Sequence, residues 1–167
     1  MAVSSLSDLF YDTLRDVYWA EKHLVKALPK MAKAASNPGL SDAILNHRAE
    51  TEVHAERLEQ IFEMIGKAAR AKKCEAMVGL SAEGDHVMEE VEDDTVRDVG
   101  IIGAAQAVEH YEIARYGTLA AWAKQLGLDD VVALLITTLE EEKAADEKLS
   151  GLADTINVEA EAKEEAA

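Results

Sequence analysis

Four stretches of the chain place apolar residues every three or four positions, the spacing of one helix face. The first runs from about Ser5 to Ala35, with Leu6, Phe10, Leu14, Val17, Glu21, Leu24 and Leu28 in its stripe. Pro29 is expected to bend this helix or loosen its last turn, and Asn37-Pro38-Gly39 to end it. The second runs from about Ser41, read as an N-cap, to Gly66, and carries Ile44, His47, Glu50, His54, Leu58, Ile61 and Ile65. The third, from about Thr95 to Leu126, aligns Ile102, Ala105, Glu109, Glu112, Tyr116, Leu119 and Ala123 before Gly127. The fourth, from about Asp129 to Ile156, aligns Val131, Leu135, Thr138, Glu142, Ala145, Asp146, Leu149, Leu152 and Ile156.

Short turns join the first helix to the second and the third to the fourth, so each pair is expected to lie antiparallel. Between the pairs lies a long segment, 67–94. Its Met77, Val78, Leu80, Val87, Met88 and Val91 need burial, which predicts one or two short helices. Two hairpins joined by one long crossover define a ferritin-like topology. The expected fold is therefore all-α, an antiparallel four-helix bundle over residues 1–158 with its crossover at 67–94. The acidic tail 159–167 is expected to fray or be disordered.

Composition agrees. Ala, Leu, Glu and Lys dominate, and only two Pro, two Phe and two Trp are present. With 33 acidic against 17 basic residues the net charge is −16, a surface that repels nucleic acid and attracts cations. Met1 to Asp8 lacks a basic segment followed by an apolar run, so no signal peptide is expected, and no apolar stretch has the length of a membrane span. Cys74 stands alone, which fits a reducing cytoplasm and excludes an intramolecular disulfide or a thiolate cluster. Lys72 and Lys73 beside it would lower its pKa, although a spectator thiol is the preferred reading.

The informative departure is an acid near the middle of each apolar stripe: Glu21, Glu50, Glu109 with Glu112, and Glu142. Carboxylates are almost never buried unpaired, and one ionised group in a dry core costs several kcal/mol. No Arg or Lys sits in the stripes at that height. Two bound divalent cations would neutralise the cluster. Glu50 with His54, four apart, shares a helix face, as do Glu109 with Glu112 and Glu142 with Asp146. The predicted metal ligands are thus Glu21, Glu50, His54, Glu109, Glu112, Glu142 and Asp146. Ferritin-like di-metal sites use one Glu from each of two helices and a Glu-x-x-His from each of the others. This chain departs from that pattern at the Glu50–His54 offset and at Asp146, where a His is expected. Glu141 replaces Glu142 if the fourth helix is rotated. His47 reads as a packed polar residue, His110 as structural or surface, and His23 and His86 as surface. Tyr18, Tyr111 and Tyr116 read as packing or as donors to the ligands.

Four segments carry a family resemblance: Asp16-Val17-Tyr18-Trp19-Ala20-Glu21, Glu50-Thr51 through His54 to Arg57-Leu58-Glu59, Glu109-His110-Tyr111-Glu112, and Leu139 to Asp146. In this order the chain resembles the YciF-like family of bacterial ferritin-like proteins over nearly its whole length. The resemblance implies a rubrerythrin-like di-metal centre, dimers and a role in stress response, but no reaction. A carboxylate-rich donor set suits Fe, or alternatively Mn, better than Zn or Cu. Three functions fit: a di-metal centre that reduces O₂ or peroxide, a non-catalytic metal-buffering protein, and a metal-free structural dimer. The first is preferred. No cysteine cluster for electron transfer is present, so a reductant would come from elsewhere.

Overall fold

A computed structural model describes residues 3–165. It contains five helices: α1 (Leu6–Ala34), α2 (Pro38–Met64), α3 (Glu75–Glu90), α4 (Asp94–Gln125) and α5 (Asp129–Glu165). The long helices α1, α2, α4 and α5 form the expected bundle, with α1 packed along α2 and α4 along α5. The hairpins meet through α2 against α5 and α1 against α4. The crossover holds one helix, α3, which lies on α4 and α1. Gly100 permits that close approach, since a Cβ there would fall 2.5 Å from Val87 Cγ1.

Local chemistry sets the helix ends. The Ser5 hydroxyl accepts from Asp8 N–H, and Asp93 Oδ1 accepts from the amides of Thr95 and Val96. Gly66 and Gly127 take φ of 65° and 71°, the left-handed conformation that closes α2 and α4.

Two boundaries differ from the sequence reading, the start of α2 and the end of α5. Helix α2 begins at Pro38, not near Ser41: Asn37 Oδ1 accepts from Leu40 N–H, and Pro38 fills the first turn, where its missing N–H costs nothing. The residues that stop one helix also start the next. Helix α1 runs through Pro29 without interruption. The ring deprives the Val25 carbonyl of its usual N–H donor, and Arg48 Nε donates to it instead at 3.2 Å. Helix α5 continues to Glu165, so the tail over 159–165 is helical where disorder is expected; Ala and Glu are strong helix formers, and Lys163 reaches back to Thr95 at 2.5 Å. Met1, Ala2, Ala166 and Ala167 lie outside the described residues.

The apolar core is in two parts. One gathers Phe10, Leu14, Val17, Leu58, Phe62, Leu119 and Leu135. The other gathers Leu24, Leu28, Leu40, Ile44, Met77, Ile101 and Leu149. The buried charged residues Glu21, His54, Glu109, Glu112 and Glu142 belong to neither cluster and occupy helix positions between them.

Candidate metal centre

Four helices deliver six polar side chains to the middle of the bundle. Helix α1 contributes Glu21, α2 contributes His47 and His54, α4 contributes Glu109 and Glu112, and α5 contributes Glu142. All six are buried, and His47 is the most exposed at 8%. They divide into two groups, each with donor atoms within 4.8 Å of one another: His47, Glu109, Glu112 and Glu142 in the first, and Glu21, His54 and Glu142 in the second. Glu142 belongs to both.

The predicted set is thereby sorted. Glu21, His54, Glu109, Glu112 and Glu142 are brought together, and the register of α5 places Glu142, not Glu141, in the core. Glu50 and Asp146 stand apart. Glu50 lies about 60° round α2 from His47 at the helical repeat, and its side chain is 54% exposed. The Asp146 carboxylate is turned along α4, where Gln106 Nε2 donates to it at 3.1 Å and His110 Nε2 lies 3.5 Å away.

His47, expected as packing, takes the vacated place. The helical column on α2 is His47, Thr51, His54, Leu58. Thr51 stands three residues before His54, where a Glu-x-x-His motif would place the acid, and its hydroxyl is bonded back to the His47 carbonyl at 2.9 Å. The total of four Glu and two His is nevertheless that of the ferritin-like di-metal sites, with the ligands redistributed among the helices. The signal available in the sequence was the His47–Thr51–His54 column on one face.

Each imidazole is oriented from outside. His54 Nε2–H donates to Glu141 Oε2 at 3.0 Å, leaving Nδ1 facing Glu142 Oε1 at 3.1 Å and Glu21 Oε1 at 3.7 Å. His47 does the opposite: Nδ1 is 3.4 Å from Glu50 Oε2, and Nε2 faces Glu109 Oε1 at 3.2 Å. A carboxylate on the outer nitrogen and a free inner nitrogen is the arrangement that orients metal-binding histidines. Arg57 Nη1 holds Glu141 in turn at 2.7 Å, and is itself 2.5 Å from Thr138 Oγ1. Tyr116, fully buried, donates its O–H to Glu21 Oε1.

The inward atoms of this cluster lack hydrogen-bond partners. Glu21 Oε2, Glu109 Oε2, both oxygens of Glu112, both of Glu142, His47 Nε2 and His54 Nδ1 are the buried unpartnered side-chain atoms among the described residues. A protonated imidazole would pair His54 Nδ1 with Glu142 Oε1 at 3.1 Å and His47 Nε2 with Glu109 Oε1 at 3.2 Å. No protein group, however, meets Glu21 Oε2, Glu109 Oε2 or either oxygen of Glu112, and buried polar atoms are nearly always satisfied, so the cluster calls for a ligand. Two divalent cations would balance four carboxylates and use these atoms. The donor set therefore fits a pair of metal ions.

Without ions the electrostatics are unfavourable. Burial raises the carboxyls of Glu109 and Glu112 well above their ordinary range, and burial likewise raises Glu21. Burial works against charge on His47, but the Glu50 acceptor and the Glu109 and Glu142 charges lift it to about 9. His54 is lifted against the same penalty to about 10, by Glu142 and Glu21. Glu50, bonded to His47, is lowered. Cys74 departs from expectation: it is buried, its thiol is pushed up by desolvation rather than lowered by Lys72 and Lys73, and its sulfur is 2.9 Å from the Tyr111 hydroxyl.

Two cavities reach Glu109. One, of about 200 Å³, also touches His47 and opens beside Glu50 and Lys148. The other, of about 380 Å³, opens between α1 and α3 beside Lys30 and Asp85. Among the described residues no helix is long and apolar enough to cross a membrane.

Comparison with known proteins agrees with this architecture. The chain matches a domain of unknown function, DUF892, over residues 5–163. It is 47% identical over 165 residues to Protein YciF of Escherichia coli (strain K12), covering 98% of this chain and 99% of that protein. The crystal structure of the E. coli stress protein YciF superposes with a TM-score of 0.90 at 47% identity, over 92% of this chain and 98% of that one. YcfI, a putative structural protein from Rhodopseudomonas palustris, superposes with a TM-score of 0.87 at 49% identity, over 89% and 94%. The chain belongs to the YciF-like, DUF892 family.

Proposed function

We propose that this chain is a stress-related protein holding two Fe or Mn ions between its four helices and reacting there with O₂ or peroxide. The observation that carries the reading is the set of eight buried, unpartnered atoms on Glu21, His47, His54, Glu109, Glu112 and Glu142. The stress role rests on the relative named as a stress protein. A reducing cytoplasm suits the single buried cysteine, and a homodimer is part of the same reading.

When bound, the metal pair would supply the electrons and Lewis acidity that reduction of O₂ or peroxide requires. The chain's own contribution is orientation and proton control. Glu50 and Glu141 keep the outer ring nitrogens of His47 and His54 as donors, so the inner nitrogens are the ones that would give up their protons and present lone pairs to the ions. Glu142 is shared by both ligand groups and is placed to bridge them. Neither oxygen of Glu112 is engaged by the protein, which leaves that carboxylate able to turn as charge at the centre changes. The Tyr116 O–H donates to Glu21 Oε1 and so favours the ionised carboxylate at the edge of the cluster. The apolar halves of the core exclude bulk water on either side.

Elemental analysis of protein purified without chelator is the test, beside Glu142→Ala. About two Fe or Mn per chain is expected, with loss in the variant. Consumption of O₂ or peroxide by the loaded protein then separates reaction from mere buffering. No metal after anaerobic Fe(II) or Mn(II) loading would overturn the proposal.

A further inference from the structure

The smaller cavity is larger than an oxidant needs. Its volume of about 200 Å³ exceeds the space of a diatomic molecule or a peroxide, each comparable to one or two waters at roughly 30 Å³ apiece. An engineered apolar cavity of about 150 Å³ is enough to hold benzene. The space exists because short side chains line it: Ala43 on α2, Ala105 on α4, and Ala144 and Ala145 on α5, with Leu28, Ile44 and Leu149 adding apolar wall and Asn46 a neutral polar group. At one end the lining includes His47 and Glu109, two of the residues that would hold the ions, with His47 Nε2 and Glu109 Oε2 buried there.

We propose that this cavity binds a small, neutral, largely apolar organic molecule, of about the size of a substituted benzene ring, against the His47–Glu109 side of the centre. The inference rests on the di-metal reading and adds an organic co-substrate to it. Neutrality follows from the charges. Lys148 is the sole Lys or Arg in the lining, it sits at the exposed mouth, and Glu50 and Glu141 share that mouth, while the His47 imidazole is neutral once it holds a metal ion. An anion would meet these carboxylates and the net charge of −16. A cation would be drawn to the mouth but would lose its hydration among alanines and aliphatic side chains. A neutral molecule with an apolar body incurs neither cost.

The test is an amide chemical-shift titration of Zn(II)-loaded protein with benzene, phenol and benzoate, with Zn content measured on the same sample. Saturable shifts at Ala43, Ala145 and Leu149 are expected with benzene and phenol, with benzoate weaker by about tenfold or more. Ala145→Leu fills the cavity and Ala144→Leu narrows its mouth; each is expected to weaken phenol by about tenfold or more. Metal-loaded protein that gives no saturable shift overturns the inference and leaves the di-metal reading intact. Benzoate binding as well as phenol, or phenol binding unchanged in both variants, overturns it too. Failure to take up Fe(II) or Mn(II) counts against the di-metal reading instead, and where Zn(II) is not taken up the same titration of the metal-free protein decides the cavity.

Discussion

His54 gives its Nε2–H to Glu141 Oε2 at 3.0 Å, and this bond decides which ring nitrogen faces Glu142. Glu141 is half-buried and held by Arg57, so it acts on the centre only through the imidazole. Loss of such an outer acceptor lowers metal affinity by about 10–100-fold. Glu141→Ala is therefore expected to weaken metal binding by that factor, and Glu141→Gln, which keeps an acceptor, by less. Competition with a chelator of known affinity measures both. Equal losses in the two variants would refute the orienting role.

Glu50 and Glu142 lie on adjacent elements of the same bundle but differ in kind. Glu142 is fully buried and shared by both ligand groups, whereas Glu50 is largely exposed and touches His47 from outside. Glu50→Ala is expected to keep both ions with affinity lowered by about tenfold or more. Glu142→Ala is expected to lose at least one ion outright. Metal-to-protein ratios after gel filtration check the contrast, and a Glu50→Ala protein that retains no metal would make Glu50 a direct ligand.

The four-helix plan was legible because apolar periodicity is a direct image of a buried helix face. Glu21, Glu109, Glu112 and Glu142 were legible for the converse reason, an acid inside such a face being costly unless compensated. His47 was not, since an imidazole in a stripe is ordinary packing, and only the position of its ring nitrogens relative to Glu50 and Glu109 distinguishes it. Glu50 was misplaced because a stripe spans more than 100° of a helix, and its margin is already solvent. Asn37-Pro38 reads as a stop, yet the same two residues cap and open α2. The acidic tail reads as disordered by charge, while its Ala and Glu carry helix propensity that prevails once α5 is nucleated by packing.

Asp98 illustrates what sequence separation hides. Although 1% exposed, it accepts from Ser36 N–H at 2.8 Å, Ser36 Oγ–H at 2.5 Å and Asn37 N–H at 2.8 Å, tying the second turn of α4 to the α1–α2 connection. Asp98→Ala leaves these donors unmatched and is expected to cost about 2–4 kcal/mol. Asp98→Asn should cost less, because one amide oxygen still accepts. Urea denaturation measures both. An Asp98→Ala midpoint equal to wild type would show that water replaces the carboxylate without loss.

Removing a buried acid should separate stability from metal binding. Glu112 is 1% exposed, and neither of its oxygens has a partner in the protein. Glu112→Leu is expected to stabilise the metal-free protein, raising Tm by about 2–4 °C for each kcal/mol recovered, and to abolish the Tm increase on adding Mn(II). Calorimetry with and without metal checks both effects, and a metal-free Tm below wild type would contradict the first.

The pH dependence of the metal-free protein follows from the same cluster. Glu21, Glu109 and Glu112 are raised by burial, so above their ordinary 4.5 the unfolded chain releases protons that the native state retains. Stability then falls as pH rises. His47 and His54 are raised to about 9 and about 10, so their contribution is complete below 6.5 and is lost as pH climbs through those values. Both sets act in one direction, and the metal-free Tm is expected to fall continuously from about pH 5 to about pH 10. Metal reverses the slope over the acidic half of that range, because its ligands bind only when deprotonated and its stabilisation therefore grows with pH. Calorimetric scans in chelator and in excess Mn(II) should give curves that diverge between about pH 5 and about pH 8. Parallel curves would mean that the buried acids and imidazoles are not the metal-binding groups, and a flat metal-free curve that their charges are matched within the protein.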